Sequence, residues 1–390
     1  MTPLEGLRVV DLTQVMAGPF CTMILADLGA DVIKVEPPGG DLSRSMGGDR
    51  LRLKGSDRAP FLALNRNKRS VVLDLKVASQ RDQLLELARD ADVFVENFRP
   101  GVATRLGIDY ATVRATNPGV LYASISGFGQ DGPWSDRPGF DLIAQGMSGV
   151  MSVTGTTDGV PVKCGVPVSD LAAGLYAVIG IQAALIARSR TGKGQHVQTS
   201  LFEAALGLSA WEATEYWATG DAPLPLGSAH RLSAPYQAFR ARDGYLTIAA
   251  LTPAQWERLC NVLDRVDLLP DPRFRSNADR LANARALANE IERALAVRTA
   301  GDWVDRLLAA GIPSGPILDY AEVFASPHTA ARGMVREFDH PVEGKVRTLG
   351  IPLDMSATPP SIRRAPPLLG EHTAAVLGAL EAGRSAWEAQ

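Results

Sequence analysis

The alternation of strands and helices in the first 126 residues constrains the fold more than any other feature of this chain. The predicted strands are Leu7–Leu12, Asp31–Val35, Ser70–Leu75, Val93–Glu96 and Val120–Ser126, and the helices between them include Pro19–Leu28 and Ala78–Arg89. Strands that alternate with helices of this length favour parallel pairing, because each helix carries the chain back across the sheet. The pattern therefore predicts an α/β protein with a parallel sheet.

The second half of the chain changes character at a linker rich in Gly, Pro and Ala, residues 220–235. Elements predicted before it are a helix over 171–188, the strand His196–Ser200 and the helix Leu201–Ala218. Elements predicted after it are the strands Ala238–Ala241, Tyr245–Ala250 and Arg347–Ile351 and the helices Pro253–Val262, Asn277–Ala296, Ala300–Ala310 and His372–Glu381. Since 390 residues exceed the usual size of one core, we predict a large domain over 1–220, a small α+β domain over 225–320 and a C-terminal segment over 321–390.

Composition excludes several classes of function. The net charge of −3 argues against nucleic acid and anionic membranes as partners. The three cysteines (Cys21, Cys164 and Cys260) and the five histidines show no spacing typical of a metal site, so no metal is expected. Widely separated cysteines, the absence of a signal peptide and the absence of an uncharged apolar run of transmembrane length predict a cytoplasmic protein.

Asp170 is the strongest candidate for a catalytic residue. It precedes about fifteen apolar or small residues that indicate a buried helix, and Ser169–Asp170 has the composition of an N-cap. The positive end of the helix dipole would favour the ionised carboxylate. A charged, fixed carboxylate beside small residues is a candidate nucleophile. The alternative is an Asp that only caps the helix.

The turn after the first strand raises a second hypothesis, a dinucleotide site. Glu36 follows Gly18 at nearly the spacing of a ribose-binding acid. However, the turn Gln-Val-Met-Ala-Gly-Pro, residues 14–19, has a single glycine and lacks the Gly-x-Gly-x-x-Gly pattern. Pro19 also removes one backbone donor from the helix start. We therefore do not expect a nicotinamide cofactor.

Ten motifs in order resemble the class III CoA-transferases, the group that also contains α-methylacyl-CoA racemase. The motifs are Leu-Thr-Gln-Val-Met-Ala-Gly-Pro (12–19), Leu-Ala-Asp-Leu-Gly-Ala-Asp-Val-Ile-Lys-Val-Glu-Pro-Pro-Gly-Gly-Asp (25–41), Asn-Arg-Asn-Lys-Arg-Ser (65–70), Val-Glu-Asn-Phe-Arg-Pro-Gly (95–101), Arg-Leu-Gly (105–107), Ser-Gly-Phe-Gly-Gln-Asp-Gly-Pro (126–133), the run at Asp170, Arg-Thr-Gly-Lys-Gly-Gln (190–195), Gly-Ile-Pro-Ser-Gly-Pro (311–316) and Pro-Leu-Leu-Gly-Glu-His-Thr (367–373). The resemblance spans the chain from end to end.

The resemblance implies a Rossmann-like large domain that combines the N-terminal half with the C-terminal segment, and an interlocked homodimer. It implies an acyl-CoA and a small carboxylic acid as substrates, with the CoA thioester as substrate and no permanently bound cofactor. Succinyl-CoA is our expectation for the donor. The basic stretch 44–54, with Arg44, Arg50, Arg52 and Lys54, either binds a second carboxylate of the acceptor or forms a solvated loop.

The resemblance also assigns site residues. Asp170 matches the nucleophile, which forms an acyl anhydride and then an aspartyl-CoA thioester. The thioester and oxyanion pocket comprises Gln14, Val15, Met16, Ala17, Gly18 and Phe140, and the CoA-binding residues are Lys68, Arg69, Asn97, Phe98, Arg99 and Arg105. Formyl-CoA transferases have Gln where this chain has Met16, which cannot donate a hydrogen bond, so Gln14 or the backbone would have to replace it. This departure weakens a formyl-CoA/oxalate assignment.

Two alternatives to transfer stay open. The racemases place His where this chain has Phe140 and an acidic residue where Thr252 aligns. Neither residue here can exchange an α-proton, and this favours transfer over the α-methylacyl-CoA racemase reaction. A non-catalytic acyl-CoA-binding protein is the third hypothesis, and the intact Asp170 argues against it.

Overall fold

Two units make up the computed structural model, which describes residues 2–388. The first contains the residues up to Met151, Lys163–Asp221 and the residues from His328 onward. The second contains Ser152–Val162 and Ala222–Pro327. The short segment Ser152–Val162 thus groups with the second unit, whereas the sequence analysis assigned it to the large domain. A backbone hydrogen bond from the Gly227 N–H to the Gly155 oxygen, 2.8 Å long, ties it there.

A six-stranded, fully parallel sheet forms the centre of the first unit. Its strands are β1 (Arg8–Asp11), β2 (Asp31–Glu36), β3 (Lys68–Val72), β4 (Val93–Glu96), β5 (Leu121–Ser126) and β6 (Gln195–Ser200). Their order across the sheet is β3-β2-β1-β4-β5-β6, the order of doubly wound folds that bind nucleotides. The predicted α/β class with a parallel sheet is confirmed.

Helices surround this sheet and make up most of the second unit. In chain order they are α1 (Ala17–Asp27), α2 (Ala59–Leu64), α3 (Ala78–Arg89), α4 (Val102–Leu106), α5 (Tyr110–Thr116), α6 (Asp141–Met147), α7 (Val150–Val153), α8 (Val168–Thr191), α9 (Leu201–Gly207), α10 (Ala210–Thr219), α11 (Pro253–Val262), α12 (Asn277–Ala282), α13 (Ala284–Leu295), α14 (Ala300–Ala309), α15 (Tyr320–Ala325), α16 (Pro327–Ala331) and α17 (Thr373–Glu381). Short 3-10 turns occur at Leu42–Arg44, Gly48–Leu51 and Val266–Leu268.

The sheet separates two apolar cores because successive side chains of a strand point to opposite faces. Val9 of β1 belongs to the core formed with α1 and α8, and the next residue, Val10, belongs to the core formed with α3 and α17. Both valines are fully buried. The apolar runs of the strands therefore reflect burial on both faces, as parallel sheets require.

Helix α8 lies on the first of these faces. It has 24 residues, and by length and composition alone it could cross a bilayer. Its apolar residues Ala173, Ala177 and Ile181 are buried in the core against α1 and the sheet. The helix is thus the central helix of this core, and the prediction over 171–188 was short by three residues at each end.

The C-terminal segment returns to the sheet of the first unit. It begins with the antiparallel strands β10 (Val335–His340) and β11 (Gly344–Leu349). Further on, the Val72 N–H of β3 donates to Thr373 Oγ1 at 3.0 Å, and α17 packs on α3. The second unit has its own three-stranded antiparallel sheet, β7 (Tyr236–Arg240), β8 (Tyr245–Ala249) and β9 (Ser314–Pro316), against α11, α13 and α14.

Two long helices predicted from sequence are broken in the structure. The predicted helix Leu201–Ala218 is interrupted at Leu208–Ser209, between α9 and α10. The predicted helix Asn277–Ala296 is interrupted at Asn283, whose side-chain amide donates to the Asp279 oxygen at 2.9 Å. Such side-chain bonds compete with the helical backbone bonds and favour an end at Asn.

Candidate active site

The candidate site lies at the carboxyl edge of the parallel sheet, where β1 and β4 are neighbours. The chain leaves these strands in opposite lateral directions, since β2 and β5 lie on opposite sides of the pair. Open α/β sheets bind ligands in the crevice at such a switch point. The turn that follows β1, residues 12–18, and Asn97, which follows β4, occupy this position.

Hydrogen bonds join the two sides of the crevice. The Gln14 N–H donates to Asn97 Oδ1, and Asn97 Nδ2 donates to the Gln14 oxygen, both at 2.9 Å. The next residue, Val15, has φ of 71°, in the left-handed region. A β-branched residue there is a genuine outlier and costs about 1–2 kcal/mol. The turn is therefore held in one strained conformation.

The backbone N–H groups that follow this turn are free of protein partners. Those of Gln14 and Val15 are bonded to Asn97 and Asp41, whereas in residues 2–388 no acceptor is bonded to the N–H of Met16, Ala17 or Gly18. These donors belong to the first turn of α1, where a helix leaves N–H groups unsatisfied and favours negative charge. The turn thus offers three donors for an oxyanion.

Asp170 lies close to the start of α1 because α8 and α1 are in direct contact. Gly174 and Asp170 are four residues apart and share one face of α8. A Cβ on Gly174 would lie 2.7 Å from the carbonyl oxygen of Ala17, so only glycine permits this approach. Asp170 is four residues, about one helical turn or 6 Å along the axis, from that contact. The candidate nucleophile and the turn predicted to line the thioester are therefore brought together.

The environment of Asp170 opposes its ionised form. The sequence prediction that Ser169–Asp170 is the N-cap was wrong: α8 begins at Val168 after Pro167, and Asp170 lies within the first turn. No side-chain hydrogen bond to Asp170 occurs in the described part of the chain. Burial, with repulsion from Asp141 as the smaller cause, raises the pKa of Asp170 to about 7. The prediction that the environment of Asp170 favours its ionised form was therefore wrong, because the effect of burial is larger than that of the helix dipole.

Asp141 fixes the start of α8 beside Asp170. It is the first residue of α6, and its Oδ1 accepts the Ser169 N–H at 3.0 Å while its Oδ2 accepts Gln145 Nε2 at 2.8 Å. Phe140, immediately before it, is 68% exposed and provides an apolar wall without a titratable group. This segment places the Asp141 carboxyl group near the candidate nucleophile.

The structure contradicts the prediction that Lys68 binds phosphate. Its side chain is fully buried, and its Nζ donates to Asp11 Oδ2 at 3.0 Å, to the Pro19 oxygen and to Asn65 Oδ1. Burial lowers the pKa of Lys68, although Asp11 opposes this shift. An ammonium group with three protein acceptors has no donor left for a ligand. Lys68 therefore links the end of β1 to the first turn of α1, on the two sides of the β1 turn.

Arg69 and Arg44 are also bound by protein groups. Arg69 is 3% exposed and pairs with Asp31 at 2.6 Å, which excludes the predicted direct role in binding CoA. Arg44, one member of the basic stretch proposed for the acceptor, is buried against Glu36 and Asp57. Buried guanidinium groups keep carboxylate partners of this kind because an unpaired charge there is costly.

The other predicted CoA contacts differ in exposure. Asn97 uses its amide to hold Gln14, and Phe98 is half-buried at the edge of the core with its N–H bonded to Glu96 Oε2 at 2.8 Å. The guanidinium groups of Arg99 and Arg105 are exposed and make no hydrogen bond or ion pair with the described residues. Arg105 ends α4. Among the predicted CoA contacts, these two arginines are the cations that the described residues leave free to bind a phosphate.

Sequence reasoning missed a set of charged residues under the site. Burial raises the pKa of Asp11, whereas the neighbouring Lys68 and Lys34 lower it. The effect of the two cations is larger, so the pKa of Asp11 lies below its usual range. Lys34 is fully buried in β2. Lys34 in the middle of the apolar strand 31–36 could have indicated this set from the sequence. A lysine is too costly to bury unless a carboxylate pairs with it.

Several known proteins are similar to this chain over nearly its whole length. The model of CoA-transferase family III matches residues 4–373. An acetyl-CoA:oxalate CoA-transferase of Acetobacter aceti is 43% identical over 96% of this chain and 95% of its own length. A succinyl-CoA:glutarate CoA-transferase of Mus musculus is 40% identical over 97% of this chain and 86% of its own length. The crystal structure of a CAIB/BAIF family protein from Brucella suis matches 97% of this chain and 99% of its own, with a TM-score of 0.88 and 41% identity.

Proposed function

The chain belongs to CoA-transferase family III and is a CoA-transferase, and we propose that Asp170 carries the acyl group and then CoA during the transfer. One observation carries this proposal. Asp170 is half-buried, and its carboxylate oxygens accept no hydrogen bond from residues 2–388. It lies one helical turn from the contact between Gly174 and Ala17. A carboxylate that is not solvated by protein donors is a stronger nucleophile than a bonded one.

In the first half-reaction, an oxygen of the Asp170 carboxylate attacks the thioester carbon of the donor. The C–S bond breaks, CoA leaves as a thiolate, and a mixed anhydride forms. The thiolate then attacks the aspartyl carbon of that anhydride. The donor acid leaves with the bridging oxygen, and Asp170 is now an aspartyl-CoA thioester. Dividing the exchange between activated acyl species lowers the barrier of each step.

The second half-reaction repeats these steps with the acceptor. A carboxylate oxygen of the acceptor attacks the aspartyl thioester and releases CoA thiolate, which gives a new anhydride. Attack of the thiolate on the acceptor carbonyl forms the new acyl-CoA and returns Asp170 as a carboxylate. Each tetrahedral intermediate carries an oxyanion, which the unbonded N–H groups of residues 16–18 would stabilise.

We propose succinyl-CoA as donor and a small dicarboxylate as acceptor. Two relatives support this class of acceptor, since their names specify oxalate and glutarate. Arg99 and Arg105 are proposed to bind the phosphates of CoA, because an arginine can hold a phosphate through two donors. No permanent cofactor or metal is required by these steps, because the thiolate and the carboxylates supply all the nucleophiles.

We also propose that the active form is an interlocked homodimer. Large apolar side chains are exposed along α8 and α10, among them Ile179, Ile186 and Trp217, and a surface of this kind is typical of a subunit interface. Light scattering should then give twice the chain mass of 41.5 kDa. A cytoplasmic location is proposed from the three free cysteines, Cys21, Cys164 and Cys260.

A panel assay tests the proposed function. The protein is offered succinyl-CoA or acetyl-CoA with a set of carboxylic acids, and new thioesters are identified by mass spectrometry. We expect exchange with at least one dicarboxylate, and we expect Asp170→Asn to abolish it. The matched control is Asp82→Asn on the exposed face of α3, which should leave the rate unchanged. Exchange by Asp170→Asn at the native rate would exclude a covalent role for this carboxyl.

A further inference from the structure

Three side chains from outside the β1 turn hold residues 13–15, and we define Lys34, Asp41 and Asn97 as the turn clamp. Their contacts run in order along the turn: Lys34 Nζ donates to the Thr13 oxygen at 2.6 Å, Asn97 bonds both backbone groups of Gln14, and the Val15 N–H donates to Asp41 Oδ1 at 3.1 Å. Three consecutive residues of one turn are thus fixed by side chains rather than by secondary structure.

Asp41 is itself fixed from several directions. Its Oδ1 also accepts the N–H and the hydroxyl of Ser43, both at 2.8 Å, and its Oδ2 pairs with Lys34 Nζ at 2.8 Å. Its own N–H donates to Glu36 Oε2. Asp41 and Lys34 are both almost completely buried. A buried ion pair that is also held by three hydrogen bonds to one carboxylate oxygen has one well-defined geometry.

The clamp acts where the backbone is strained. Val15 has a positive φ, which a β-branched residue adopts only when its surroundings impose it. The N–H groups of residues 16–18, which have no acceptor among the described residues, follow directly, so a change of φ at Val15 would change their direction. Strain held by buried charges at this point is a means of pre-organising donors before the substrate arrives.

We propose that Asp41, through the turn clamp, is a positioning residue for acyl transfer. It holds Val15 in the left-handed conformation and so aims the donors of residues 16–18 at the oxyanion formed beside Asp170. The inference rests on the proposed function of Asp170. It assigns to Asn97 a role in shaping the turn, in place of direct contact with CoA.

The first test is the variant Asp41→Asn, which removes the charge and keeps the size. We expect kcat of CoA exchange to fall about 10- to 100-fold, as for the loss of a hydrogen bond to a charged group. KM for the acyl-CoA should change less than about threefold, because the phosphate-binding arginines are untouched. An unchanged kcat would overturn the proposal, and so would a rise of KM without loss of kcat.

A second background separates positioning from general destabilisation. Val15→Gly removes the steric cost of a positive φ. If Asp41 acts by holding that conformation, the double variant Val15→Gly with Asp41→Asn should have a kcat less than about fivefold below that of Val15→Gly alone. An equal loss in both backgrounds would contradict the role, because the cost would then be independent of the backbone at Val15.

Asp57→Asn is the matched control within the same set of charges. Asp57 is buried and pairs with Arg44 at 2.6 Å, and among the described residues no hydrogen bond joins it directly to residues 12–18. This variant should lower the melting temperature as Asp41→Asn does and leave kcat within about twofold. Equal losses of kcat in the two variants would show that the effect comes from stability, and would overturn the proposal.

Asn97→Ala is a second variant of the turn clamp, and it tests the proposal even if Asp41→Asn does not fold. This half-buried residue bonds Gln14 from the other side of the crevice, so the variant should also lower kcat more than it raises KM. A rise in KM alone would show that Asn97 binds CoA, and would contradict the clamp. If instead Asp170→Asn keeps the native rate, the proposed function fails whatever the clamp variants do.

Discussion

The difference in free energy of unfolding between Asp170→Asn and the native protein should depend on pH, because only the native protein buries the Asp170 carboxyl group. Burial and Asp141 raise the pKa of Asp170 from 3.8 to about 7. Below pH 3.8 the group is protonated in both states and contributes nothing. Between pH 3.8 and about 7 only the unfolded state releases the proton, so stability falls as pH rises. Above pH 7 the loss is complete.

The magnitude follows from the size of the shift. A difference of about three pH units at 1.36 kcal/mol each gives a destabilisation on the order of 4 kcal/mol above pH 7. Asp170→Asn removes this term, so the variant should be more stable than the native protein at pH 8 and equal to it near pH 4. For a chain of this size the difference corresponds to a melting temperature higher by roughly 5 °C.

Thermal melting followed by fluorescence at pH 4, 6 and 8 measures this effect. Asp82→Asn, at an exposed position of α3, is the control and should show no pH-dependent gain. The same ionisation should govern catalysis, with kcat/KM rising with pH up to about 7 because only the carboxylate attacks. A variant no more stable than the native protein at pH 8 would refute the reasoning that burial raises this pKa.

Three further results are expected. Gly174→Ala should cost about 1–3 kcal/mol of stability and lower activity because its Cβ meets the Ala17 oxygen, whereas Gly378→Ala, with open space around it, should be neutral or slightly stabilising on thermal melting. Arg105→Ala should raise KM for acyl-CoA about 10-fold at constant kcat in steady-state assays. Lys68→Met should cost about 3 kcal/mol of stability in denaturant unfolding, since it unpairs the buried Asp11, and should leave KM within about twofold. Equal melting temperatures of the two glycine variants would contradict the first assignment. A fall of kcat without a rise of KM in Arg105→Ala would contradict the second, and a large change of KM in Lys68→Met would contradict the third.

The sequence was informative wherever local signals agree. The strand Val93–Glu96 and the helices Ala78–Arg89 and Pro253–Val262 were predicted with the observed bounds, because apolar periodicity and end signals coincide there. The start of α8 was misplaced, because Pro167 already accepts the first helical bond, from the Leu171 N–H. Hydrophobicity alone cannot locate such a start.

Non-local pairing explains the errors at the site. Lys68 was assigned to CoA binding from the family resemblance. Only the pairing of β3 with β2 places it under Asp11, a residue 57 positions away. The clamp residues likewise come from separate loops and strands. The resemblance to a family pointed to the turn and to the candidate nucleophile, whereas the direction of each buried side chain required the assembled sheet.

Transfer of oxygen from the acceptor acid to Asp170 tests the central claim most directly. In the proposed reaction the acceptor attacks the aspartyl thioester, and one of its carboxylate oxygens stays on Asp170 when the new acyl-CoA forms. After turnover with an acceptor labelled with heavy oxygen, mass spectrometry of the peptide that contains Asp170 should show the label in that carboxyl group. Complete turnover with no label in this peptide would contradict the account, because the acyl group would then have reached CoA without passing through Asp170.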